Sequence, residues 1–144
     1  MKIEIFYSAT DIKYESASKI RKTVFSDEQG IPYELDDDGY DKEAWHALFF
    51  VNNEPAGSGR LVINGEWGVL ARIAVLKKHR GMGHAVKVIE ALELKGVELG
   101  LRQFELYPHA YLESFYSNLG YITDPDYSEE VAGYKLIRMH KKRD

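Results

Sequence analysis

The run Arg80-Gly81-Met82-Gly83-His84-Ala85 holds residue types that can grip an anion. It follows an apolar stretch, Leu70-Ala71-Arg72-Ile73-Ala74-Val75, and opens a helical pattern. The first turn of a helix has main-chain N–H groups without partners and a partial positive charge. A strand entering a helix through glycines is therefore a phosphate site. Gly81 and Gly83 let the main chain approach a phosphate with no Cβ in the way. Arg80 adds a permanent charge whose planar fork can bond two phosphate oxygens at once.

Two phosphate signatures fail. No Gly-Lys-Ser/Thr ending is present, so the run is not a Walker loop. A dinucleotide fingerprint needs a third small residue where Val86 stands, and an acid at a strand end about 20 residues on. A glycine turn before a plain surface helix is the bland alternative. His79 and His84 flank the turn without metal-ligand spacing, and no His-Glu-x-x-His occurs, so no metal is expected.

The bulk numbers narrow the class. At 144 residues, residues 1–144 form one domain able to bury a core. Apolar content of 44% and charged content of 29% are those of a globular protein. No apolar run approaches the roughly 20 residues of a membrane span. Met1-Lys2-Ile3-Glu4-Ile5-Phe6 alternates like a strand and lacks a signal peptide's apolar core, so a cytoplasmic location is expected. With no Cys there is no disulfide, thiolate metal site or cysteine nucleophile. A net charge of −4 argues against nucleic acid as a partner. The basic end Lys141-Lys142-Arg143 reads as a frayed, solvated terminus.

The elements that must position these residues follow from periodicity and turn chemistry. Residues 2–7 read as a strand, and Thr10 or Asp11 can cap a helix carrying Ile12, Ala17, Ile20 and Val24. Residues 25–41 read as irregular and acidic, with Pro32, Gly39 and Asp36-Asp37-Asp38. That acidic loop could attract a cationic amine, but a solvated loop is the default. Residues 45–51 form a strand turned by Asn52-Asn53-Glu54-Pro55, and 57–63 form the next. Asn64-Gly65 signals a hairpin to residues 66–76. A helix from Gly83 carries Val86, Ile89, Leu92, Val97 and Leu99, and Gly100 suits a left-handed cap. Residues 103–107 are strand-like, 110–119 helical and stopped by Gly120; 121–122 and 134–139 supply the last strands. Trp45 and Trp67 read as strand aromatics of the core or of a homodimer face. The order implies an α/β (α+β) domain with a mixed sheet and helices on its faces.

Several segments together resemble the GNAT N-acetyltransferase superfamily. Arg80-Gly81-Met82-Gly83-His84-Ala85 matches its coenzyme A pyrophosphate loop, Arg/Gln-x-x-Gly-x-Gly/Ala. Phe115-Tyr116-Ser117-Asn118-Leu119-Gly120-Tyr121 resembles its Phe-Tyr-x-x-Leu-Gly-Phe segment. Three more matches point to the ElaA-like branch: Arg21-x-x-Val24-Phe25-x-x-Glu28-Gln29-Gly30-Ile31-Pro32, the Asp41-to-His46 approach to the second strand, and Arg72-Ile73-Ala74-Val75. Pro108-His109 departs from the branch's Ala-Gln, and Tyr134-Lys135 replaces a histidine; both border the acceptor side, so no particular substrate carries over.

The resemblance implies the GNAT acyl-CoA N-acyltransferase fold, a central mostly antiparallel twisted sheet flanked by helices. It implies acetyl transfer from acetyl-CoA (coenzyme A) to a primary amine of a small molecule or peptide, by direct attack in a ternary complex. Arg80, Gly81, Met82, Gly83, His84 and Ala85 would hold the pyrophosphate, and Ile73, Ala74 and Val75 the pantetheine arm. A bulge in that strand, invisible in sequence, would splay it from the strand near Phe104 and open a slot. Tyr116 would be the general acid, because a phenol near pKa 10 stays protonated where a thiol near 8.5 departs. Glu28, His46 and Glu105 remain candidates for the base, with Glu28 and His46 placed at the substrate. Tyr116 could equally be a buried aromatic with a satisfied hydroxyl, and the domain a CoA-binding regulatory module without catalysis.

Overall fold

Short apolar runs and two asparagine-containing turns lay down four antiparallel strands in a computed structural model that describes residues 1–143. They are β1 (Lys2–Tyr7), β2 (Trp45–Val51), β3 (Glu54–Asn64) and β4 (Trp67–Val75). Asn52 and Asn53 both take positive φ, 51° and 65°, so the turn closes in two residues. Glu54 and Pro55, expected in that turn, therefore already belong to β3. At the next hairpin Asn64 pairs with Trp67 across Gly65, whose φ is 61°.

The long helix α3 (His84–Glu98) then crosses over, and β5 (Gln103–Leu106) joins β4 in parallel. β6 (Ile122–Val131) and β7 (Tyr134–Lys142) complete one seven-stranded sheet of order β1-β2-β3-β4-β5-β7-β6. β6 is much longer than the two residues expected, because β7 pairs with both of its ends across an irregularity between Asp124 and Glu129.

One face of the sheet is covered by α3, whose Val88, Ile89 and Leu92 pack on Ala47, Phe49, Leu61, Leu70 and Phe104. Each large aliphatic side chain buried there contributes about 1.5–3 kcal/mol. Contact is close because Gly59 lacks a side chain: a Cβ there would lie 2.8 Å from both Val88 and Ile73. The other face is covered by α1 (Tyr14–Arg21), which runs on as a π-helical segment over Lys22–Glu28. Ala17, Ile20 and Val24 pack on Phe6, Leu48 and Ala74. Ile12, expected on that face, is 87% exposed, because the helix starts after it. The segment read as irregular keeps helical turns to Glu28 and again in the four-residue α2 (Tyr33–Asp36). The helix expected over 110–119 is a tight turn at Ala110–Leu112 followed by α4 (Glu113–Ser117). No helix among the described residues is long and apolar enough to cross a membrane.

The middle of the sheet is split. Pairing of β4 with β5 runs from Trp67↔Gln103 to Leu70↔Leu106 and stops. On its other edge β4 slips against β3: Ser58 faces Ala74 but Arg60 faces Ala71, so Gly59 stands opposite both Arg72 and Ile73. Arg72 accommodates the extra residue with φ of 56°. Such a bulge bends a strand away from its neighbour. Beyond Leu106 the chain follows β7 instead, with Ile137 N–H donating to the Pro108 carbonyl at 3.0 Å and His109 bridged to Leu136.

Candidate active site

Past the bulge, β4 leads into the glycine turn. Lys77–His79 make one tight turn, Gly81 and Gly83 take φ of 82° and 77°, and α3 starts at His84. The N–H groups of residues 81–86 make no main-chain hydrogen bond among the described residues; the first donor into the helix is Lys87, to Gly83 at 3.4 Å. A Cβ on Gly81 or Gly83 would meet nothing within 4 Å. These glycines are thus demanded by positive φ, and the space above them is open to a ligand. A row of free donors at a helix start, with no side chain over it, fits a diphosphate.

Two side chains of the turn do something the sequence did not signal. Arg80 is anchored: its Nε donates to the Val75 carbonyl at 2.8 Å and its Nη2 to Glu28 at 2.7 Å. The His84 imidazole turns inward, 4.4 Å from the Phe49 ring, with neither ring nitrogen hydrogen-bonded. His84 therefore offers the turn only its main chain.

A cavity of about 620 Å³ opens where β4 and β5 part, and Ala71, Arg72, Ile73, Glu105 and Tyr116 share its lining. Tyr116 is 5% exposed, its ring edge-on to Phe115 and Tyr121 at 5.0 and 5.9 Å. Its hydroxyl has no hydrogen-bond partner among the described residues, whereas that of the neighbouring Tyr121 donates to Glu93 at 2.8 Å. Burial raises the pKa of Tyr116, so the phenol holds its proton at neutral pH.

The three proton acceptors fall in three different places. Glu105 lines the cavity, and its Oε2 accepts from Nε and Nη2 of Arg138 at 2.8 and 2.7 Å. Glu28 is outside the lining, paired with Arg80. His46 is 1% exposed under α1, stacked on Phe6 at 5.3 Å, edge-on to Tyr14, and hydrogen-bonded through Nε2 to the Asp41 carbonyl at 2.9 Å. Burial pulls its pKa below the ordinary value, against the opposing pull of Asp41, so it is neutral near pH 7.

The acidic loop is not a solvated loop. Asp36 pairs with Arg21 at 2.8 Å and Arg72 at 3.1 Å. Asp38 pairs with Arg60 at 2.8 Å and Arg72 at 3.3 Å. Asp41 pairs with Arg21 at 3.0 Å and Arg60 at 3.1 Å, and accepts the Tyr14 hydroxyl. Three arginines from α1, β3 and β4 thus neutralise three aspartates and strap the loop across the cavity. Burial pushes Asp38 and Asp41 up, but the arginines and their hydrogen bonds outweigh it and hold both below the usual carboxylate value. Arg21 and Arg72 open two of the family-like segments, but nothing in the sequence tied them to the Asp cluster, and Arg60 carried no signal at all.

Comparison with known proteins identifies the family and the fold. A family model described as the acetyltransferase (GNAT) domain matches residues 9–143. A Bacillus subtilis chain named an acetyltransferase is 36% identical over 134 residues, 90% of this chain and 89% of that one. Escherichia coli ElaA has the same fold, with a TM-score of 0.85 at 22% identity over 98% of this chain and 99% of that chain. The PaiA N-acetyltransferase of Thermoplasma acidophilum, solved in complex with coenzyme A, superposes with a TM-score of 0.70 at 16% identity, over 99% of each chain.

Proposed function

The chain belongs to the GNAT acetyltransferase family, and on that premise we propose that it moves an acetyl group from acetyl-CoA to a primary amine of a small molecule or peptide, by direct attack in a ternary complex. The observation that carries this reading is that β4 and β5 part after Leu70 and Leu106, so that β4 lines the Tyr116 cavity with Ala71, Arg72 and Ile73 and then continues along the chain into the glycine turn with its free N–H groups. Acetyl-CoA, when bound, supplies the activated acetyl group.

The chain's own residues do the rest. The N–H groups of residues 81–86 and the Arg80 guanidinium hold the diphosphate. Ile73, Ala74 and Val75, on the edge of β4 that has lost its strand partner, pair with the amides of the pantetheine arm as a further strand would. An N–H of this edge donates to the thioester oxygen as negative charge grows there, an interaction worth roughly 3 kcal/mol of barrier. Tyr116 gives its proton to the departing sulfur. Glu105 takes the proton of the amine on Oε1, the oxygen that Arg138 leaves free, directly or through water. Glu28 acts on Arg80 rather than on the acceptor, and His46 supports the fold.

The test combines calorimetry with acetyl-CoA and thiol release over a panel of primary amines. Micromolar binding with amine-dependent thiol release is the expected result. Binding without thiol release for any amine would leave a CoA-binding module, and absence of binding would remove the reading altogether.

A further inference from the structure

The walls of the cavity are rich in rings and poor in available charge. Tyr40, Tyr107 and Tyr111 line it together with Phe25, Ile31 and Leu35. At its mouth the large side chains are strongly exposed: Tyr111 is 66%, Tyr40 53% and Leu35 51% accessible. Isolated exposed apolar residues need no explanation, but a cluster rimming one cavity marks a binding surface.

Most of the charges on the same walls are paired. Asp36 and Asp38 are shared among Arg21, Arg60 and Arg72, and Glu105 is held by Arg138. Neither Asp36 nor Asp38 can turn to a substrate ammonium without stranding an arginine, and Arg21 and Arg60 are almost wholly buried; Glu105 keeps only Oε1 open, for the reacting amine itself. Glu43 is the one lining carboxylate without a cationic partner among the described residues. A polyamine or an aminoglycoside carries several ammonium groups and needs several free carboxylates at separate points. A molecule with one amino group on a flat apolar body needs only the open oxygen of Glu105 for its amine and the aromatic walls for its ring.

Given the acetyltransferase reading, on which this rests, we infer that the acceptor is a monoamine carried on an aromatic body, an arylalkylamine. The ring seats against Tyr40, Tyr107 and Tyr111, and the amino group enters towards Tyr116. The experiment compares initial rates of thiol release from acetyl-CoA with 2-phenylethylamine, tryptamine, butylamine, spermidine and kanamycin, and titrates the same amines into the CoA complex by calorimetry. Expected is a kcat/KM for 2-phenylethylamine about ten-fold or more above butylamine and spermidine, the scale of one added aromatic contact. Tyr111→Ala should narrow the gap to butylamine and leave acetyl-CoA affinity unchanged. Spermidine or kanamycin acetylated as fast as 2-phenylethylamine would overturn the inference while keeping the enzyme. So would binding of acetyl-CoA with no arylalkylamine either bound or acetylated. A protein that fails to bind acetyl-CoA would remove the acetyltransferase reading and this inference with it.

Discussion

Glu28 and Arg80 stand 52 positions apart in the chain, yet Oε2 of the first lies 2.7 Å from Nη2 of the second. The pair ties the end of the π-helical segment to the glycine turn, and it sets a carboxylate beside the guanidinium proposed to hold a diphosphate. An incoming anion must therefore compete with Glu28 for Arg80. Exposed ion pairs of this kind are worth about 0.2–1 kcal/mol. Glu28→Gln should accordingly bind CoA more tightly, by up to about five-fold, and Arg80→Ala more weakly; titration calorimetry reads both. Weaker binding in Glu28→Gln would show instead that the pair preorganises the turn.

Tyr116 presents a buried ring with an unpartnered hydroxyl to the cavity. Tyr116→Phe removes one oxygen and leaves the packing against Phe115 and Tyr121 in place. Turnover should fall by about 10²–10⁴, with acetyl-CoA affinity and thermal stability within error of the parent. Steady-state kinetics beside calorimetry check this, and full activity would strip Tyr116 of its role as acid.

Two glycines should fail in opposite ways. At Gly83, φ is 77° and the space around a Cβ is empty, so Gly83→Val costs about 1–2 kcal/mol of backbone strain and chiefly obstructs the diphosphate. CoA binding should be lost in a protein that still folds. At Gly59 a Cβ would strike Val88, Ile73 and Leu92 at 2.8, 2.8 and 2.9 Å. Gly59→Ala should therefore lower stability by about 1–3 kcal/mol through overpacking and disturb the bulge opposite it. Denaturant unfolding of the two variants separates the effects.

Stability should fall with acid in two stages. His46 has a folded pKa below its ordinary 6.5, so the unfolded chain binds the proton first. Stability is intact above about pH 6.5 and declines as pH drops from there towards the folded value. Asp38 and Asp41 are also held below their ordinary 3.8. Their contribution is present above that value and is lost as pH falls through the folded ones. His84 and His109, shifted down as well, add to the first stage. Thermal melts from pH 7.5 to 5 should show a shallower decline in His46→Gln than in the parent, and an identical slope would contradict the assignment.

Strand and helix positions were readable wherever a local rule operates. Residues 2–7 alternate, residues 45–51 make a short apolar run bounded by a turn, and β1 and β2 occupy those positions. The glycine turn was readable because positive φ and a helix start are properties of a few consecutive residues. The family was readable because five such short segments stand in the right order. The misreadings came where distant partners intervene. Ile12 lies outside the helix, β6 is extended by β7, and the aspartates of the loop look solvated until Arg21, Arg60 and Arg72 arrive from three other elements.

The amino-acid sequence by itself determined the kind of molecule: a mixed sheet whose fourth strand runs through glycines into a helix with bare N–H groups, with a tyrosine placed to follow. Each of these depends on residues close together in the chain. Tertiary structure alone decided the working surface. The bulge at Arg72 arises from a register slip against Gly59. The setting of the Tyr116 hydroxyl, the restraint of Arg80 by Glu28 and the ring-lined cavity with its paired charges arise from side chains that meet only after the sheet is assembled. Pairing register, burial and charge cancellation are relations between remote segments, and no local pattern records them.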